Sequence, residues 1–132
     1  MTDRTESFPC CTAAELDAFL GANEGNRIYW AVTRSAGHNA DSFNSSDGES
    51  FDTIEEAQKS YSDRVANMAG EWECEKNCSG LGRHFAWSIE YRLECQAFEI
   101  DEDGDESFSD SILLDTDYFD GPEPAWRYLL QR

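Results

Sequence analysis

From position 84 to 100 the chain contains no Gly, Pro or Asn, and much of that stretch alternates with period two. Phe85, Trp87, Ile89, Tyr91, Leu93 and Cys95 take one phase, and Ala86, Ser88, Glu90, Arg92, Glu94 and Gln96 take the other. A β-strand sends successive side chains to opposite faces, so this pattern predicts a long strand with one buried face. After Cys95 the large apolar positions become Phe98 and Ile100, a change of phase that predicts a β-bulge. Asp101-Glu102-Asp103-Gly104-Asp105 then reads as a turn in which Gly104 is free to adopt a positive φ. Ser107 to Asp115 forms the return strand through Phe108 and Ile112-Leu113-Leu114.

Helical spacing appears twice before this hairpin. Thr12-Ala13-Ala14-Glu15 has the form of a capping box, with Leu16, Phe19 and Leu20 on one face and Gly21 as a stop. Thr53-Ile54-Glu55-Glu56 has the same form, and Ile54, Ala57, Tyr61, Val65 and Met68 recur at spacings of three and four up to Gly70. Between them, Arg27 to Thr33 is rich in aromatic and β-branched residues and predicts a first strand. Ser35 to Asp52 turns to Ser, Asn, Asp and Gly, which predicts a loop with a short strand near Ser50-Phe51. Residues 71–83 read as an irregular connection, and Pro122 or Pro124 opens a short final helix with Ala125, Trp126, Leu129 and Leu130. The order predicts an α+β fold: an antiparallel sheet of three to four strands with helices packed on one face. A length of 132 residues suits a single domain, with residues 1–9 expected to be flexible.

Charge changes this picture most. The formal net charge is −18, from 28 acidic and 10 basic residues. The excess is concentrated: between Glu90 and Glu123 the only basic residue is Arg92. Twelve carboxylates of that window are the candidate partner-binding residues: Glu90, Glu94, Glu99, Asp101, Glu102, Asp103, Asp105, Glu106, Asp110, Asp115, Asp117 and Asp120. Like charges crowded together repel, and a folded sheet that tolerates them is expected to use them. Same-face residues two apart on a strand stand roughly 7 Å from each other, comparable to successive phosphates along one nucleic-acid strand. The expectation is a carboxylate surface that imitates a polyanion and is offered to a basic protein. A sequence pI near 4.1 argues against direct binding to nucleic acid or to an anionic membrane, since both would repel it.

Other chemistry is weaker. The sequence has no apolar run that would serve as a signal peptide or a membrane span, and its five cysteines are an odd number, so thiols in a reducing cytoplasm are expected. Cys74 and Cys78 have the spacing of paired zinc ligands, with Cys10, Cys11, Cys95, His38 and His84 as the remaining donors, but no second CxxC-type pair exists and the adjacent Cys10 and Cys11 fit one structural site poorly. Asp101, Asp103 and Asp105 match the first three ligands of a calcium loop, whose sixth and twelfth positions here hold Glu106 and Ile112 instead of Gly and Glu. No nucleophile elbow, phosphate loop or metalloprotease helix is present, so neither an enzyme nor a cofactor is expected. Adaptation to high salt would account for the charge in another way, but it calls for acids spread over the whole surface.

In size, charge, α+β pattern and the carboxylate-bearing run from Phe98 to Leu114, the chain resembles small acidic inhibitors of phages and mobile elements. These are the anti-CRISPR and anti-restriction proteins of the DNA-mimic type. It is similar in the same respects to immunity proteins that neutralise bacterial nuclease toxins. The resemblance is one of class, and no functional position carries over. It implies a stoichiometric inhibitor without a cofactor; separately, an exposed edge strand would allow a homodimer as well as a monomer. Such a protein would block a basic nucleic-acid-binding complex or nuclease in the cytoplasm of the host cell.

Overall fold

Four antiparallel strands and two helices make up the fold in the computed structural model, which describes residues 8–38, 43–71 and 87–120. The elements run α1 (Ala13–Ala22), β1 (Arg27–His38), β2 (Phe43–Phe51), α2 (Ile54–Ala66), β3 (Trp87–Ile100) and β4 (Glu106–Asp120). The sheet order is β2-β1-β3-β4, so α2 carries the chain across β1 from one hairpin to the next. This is the α+β sandwich that the alternation and helical spacing predict. Among the described residues no helix is long and apolar enough to cross a membrane.

Both helices begin as their sequences dictate. Thr12 Oγ1 accepts from the Glu15 N–H at 3.1 Å, and the Glu15 carboxylate accepts from the Thr12 N–H at 2.9 Å, a complete capping box. At α2 only half the box forms. Thr53 Oγ1 accepts from the Glu56 N–H at 3.3 Å and donates to the Glu56 side chain at 2.9 Å. The stops differ from expectation. Helix α1 passes Gly21 and ends at Asn23, whose buried side chain donates to the Phe19 carbonyl at 2.9 Å; the positive φ falls on Gly25. Helix α2 ends at Asn67, before Gly70, and one further turn follows at 68–71. At α1 the Asn23 amide satisfies one of the last helical carbonyls, and so competes well with glycine as a terminator.

A larger correction concerns Ser35 to Asp52. The expected loop is the end of β1 and the whole of β2, paired from Trp30↔Phe51 to His38↔Phe43. Strand pairing at a sheet edge uses main-chain groups, so a stretch of Ser, Asn, Asp and Gly docks on β1 despite poor intrinsic preference. The segments 72–83 and 84–86, Cys74, Cys78, His84 and the helix expected after Pro122 lie outside the described residues.

One face of the sheet lies under the helices. Trp30 and Val32 of β1, and Ile89, Tyr91, Leu93, Cys95 and Ala97 of β3, pack there with Leu16, Phe19, Ala57, Tyr61 and Met68. The period-two phase of β3 therefore runs unbroken to Ala97. The register shifts lie opposite Leu93/Glu94 and Ala97/Phe98, and the extra residues are in β4, at Leu114 and Ser109. The change of phase at Phe98 thus has another cause than a bulge in its own strand: Phe98 belongs to the opposite face. The bulge at Leu114 turns that side chain into the core, where it is 0% exposed, and leaves its carbonyl to accept from the Cys10 N–H at 3.0 Å.

Candidate protein-binding surface

The hairpin β3–β4 closes through the predicted turn. Gly104 takes φ +85, and its N–H donates to the Asp101 carbonyl at 3.1 Å. The Asp101 carboxylate accepts from the N–H groups of Asp103 and Asp105, both at 2.9 Å, which locks the turn from inside. Every residue from Glu99 to Ser111 is exposed. This tip carries Glu99, Asp101, Glu102, Asp103, Asp105, Glu106 and Asp110 with no basic residue between them. Carboxylate oxygens of Asp101, Asp103 and Asp105 lie within 4.8 Å of one another, the one such grouping among the described residues.

Strand geometry divides the rest of the acidic window, and the expected strand-long row on a single surface does not form. Glu90 and Glu94 point to the open face of the sheet, where strand neighbours engage them. The Thr116 hydroxyl donates to Glu90 at 3.1 Å, and Arg92 and Gln96 approach Glu94 at 3.1 and 3.3 Å. Asp115 and Asp117 point to the helix-covered face, opposite Leu93 and Tyr91. There the Tyr61 hydroxyl donates to Asp117 at 2.7 Å. Asp120 pairs with Ser88 at the far end of the strand. Residues of one strand alternate between faces, and the two bulges in β4 reverse its phase twice, so closeness in sequence did not translate into one surface.

The open face contributes something the charge pattern hid. Tyr29, Phe98 and Phe108 cross β1, β3 and β4 as a row of edge-to-face rings, with centroids 5.5 and 5.7 Å apart. The Arg27 guanidinium lies 5.3 Å from the centre of the Tyr29 ring and 3.4 Å from the Glu106 carboxylate. The Tyr29 hydroxyl donates to Glu106 at 2.9 Å, and that bond to a carboxylate pushes its pKa up. Phe108 and the neighbouring Ile100 remain 59% and 48% exposed. The signal in the sequence was Phe98 itself, large and apolar in the wrong phase of β3.

The thiols tell a simpler story. Cys11 and Cys95 are buried among core side chains, and burial, with Glu15 nearby, pushes the Cys11 pKa up; Cys10 is exposed. Cys11 and Cys95 pack as small apolar residues do. Comparison of the chain with protein-family models, with curated proteins and with solved structures finds no match.

Proposed function

We propose that this protein is a stoichiometric inhibitor that inserts the β3–β4 hairpin tip into a basic, nucleic-acid-binding groove of a partner protein. The observation that carries the reading is the exposed acidic tip from Glu99 to Asp110 with Phe108 and Ile100 beside it. Each part has a separate task. The carboxylates attract a Lys/Arg-lined groove over a distance and displace its counterions, which raises the association rate. The apolar residues hold the complex once formed, since exposed charge pairs contribute little to lasting affinity. Imitation of nucleic acid is thus concentrated at the tip, where the turn presents several carboxylates close together.

A pull-down from a bacterial lysate, followed by competition, tests the reading. A captured partner should lose its own nucleic-acid binding at one equivalent of the protein, and excess duplex DNA or RNA should displace it. Simultaneous Asp101→Asn, Asp103→Lys and Asp105→Lys substitution should weaken capture, more strongly at low salt. Capture that ignores both the competitor and the triple variant refutes it. The same experiment separates counter-defence from toxin immunity, because a nuclease toxin and a surveillance complex are distinguished by their own activities.

A further inference from the structure

A recess of about 370 Å³ opens between α2 and β4, lined by Phe8, Tyr61, Val65, Leu93, Asp115 and Asp117 among others. We propose that it is a socket for one arginine side chain of the partner, an inference that rests on the inhibitor reading above.

Two carboxylates enter the recess from one strand face, spaced two residues apart. Asp117 accepts from Tyr61, and Asp115 accepts from the Thr116 N–H at 2.8 Å, yet among the described residues no cation is within ion-pair distance of either. The surroundings of Asp115 make that costly. Burial first, and more weakly the neighbouring Asp117, push the Asp115 pKa up against the Thr116 N–H and Tyr61 hydroxyl bonds that lower it, so the charged form of Asp115 is disfavoured as it stands. A guanidinium placed between them relieves both effects, and its planar fork satisfies two carboxylates where an ammonium acts as a point charge. Phe8, Val65 and Leu93 supply an apolar wall for the methylene stem. Tyr61 is 5% exposed as a residue, and its hydroxyl fixes the orientation of Asp117, which makes it a positioning residue.

Position fits the partner's expected chemistry. Asp105, at the end of the turn, and Asp115 on β4 are ten positions apart, roughly 30 Å along the strand. That is the width of an ordinary protein interface, so a single basic partner spans tip and socket together.

The test needs no partner. In heteronuclear NMR, n-butylguanidinium should shift amide signals of residues around the recess in a saturable way, with a Kd on the order of a few millimolar, as expected for so small a ligand. n-Butylamine should bind several-fold more weakly. The response should vanish in Asp115→Asn/Asp117→Asn, and also in Ala66→Phe, which fills the recess from its exposed rim without altering charge. Shifts spread evenly over the acidic tip, persistence of the localised response in both variants, or no saturable shift in the native protein would overturn the socket. If the probe binds but the captured partner keeps its nucleic-acid binding, the inhibitor reading fails while the socket stands as a guanidinium site. If inhibition holds and the probe does not bind, the socket alone falls.

Discussion

Replacing Phe108 by alanine separates what folds this protein from what it offers to others. The residue is 59% exposed. Of an aromatic side chain worth about 200 Å², roughly 80 Å² is therefore covered. At about 25 cal/mol per Å² that is about 2 kcal/mol, an upper bound because the unfolded chain already hides part of it. Alanine retains some of the contact, and the edge-to-face pairing with Phe98 adds back about 0.5 kcal/mol. The net loss of folding stability should be about 1–2 kcal/mol. Urea unfolding followed by tryptophan fluorescence measures it, with an unchanged m-value showing that the two-state comparison is valid. Partner binding should fall far more, by a factor of about 100, as for a central apolar anchor. A stability loss above about 3 kcal/mol, or binding that survives intact, would show that Phe108 is part of the core in practice and that the exposed row serves no partner.

Further outcomes follow from the same geometry. Leu114→Ala removes a fully buried side chain at the bulge and should cost about 3–4 kcal/mol in urea unfolding, twice or more the effect at Phe108. Asp115→Asn should raise Tm at pH 7. The folded-state pKa of Asp115 lies above its ordinary value of 3.8, so its ionisation weakens the fold as pH rises through that raised value, and the gain should disappear near pH 3, below both values. In the turn, Asp101→Ala should lower Tm more than Asp103→Ala or Asp105→Ala, because only Asp101 holds two backbone N–H groups. Added salt should raise Tm of the native chain, whose net charge is −18, and should do so less after Asp103→Lys/Asp105→Lys.

Much of the fold could be read directly. The capping box at Thr12, the helix from Ile54, the alternation of β3 and the turn at Gly104 are local signals, each set by bonds or periodicities spanning a few residues. The polar half of the first hairpin was not legible. Strand β2 gains its structure from the main chain of β1, and its own side chains do not announce it. The candidate surface divides in the same way. The exposed, acidic character of the tip follows from composition and turn chemistry alone. The aromatic row was missed because Tyr29, Phe98 and Phe108 come from three strands, and only the register brings them within ring contact. The Tyr61–Asp117 bond likewise joins a helix to a strand more than fifty residues away.

By itself, then, the sequence determined both helices, strands β1, β3 and β4, the closing turn and the sign and place of the charge, because these depend on near neighbours and on the count of ionisable groups. Tertiary structure decided which carboxylates share a surface. Strand register and the two bulges of β4 set the face on which each acid emerges, sending Glu90 and Glu94 to one side, Asp115 and Asp117 to the other, and leaving the tip between them.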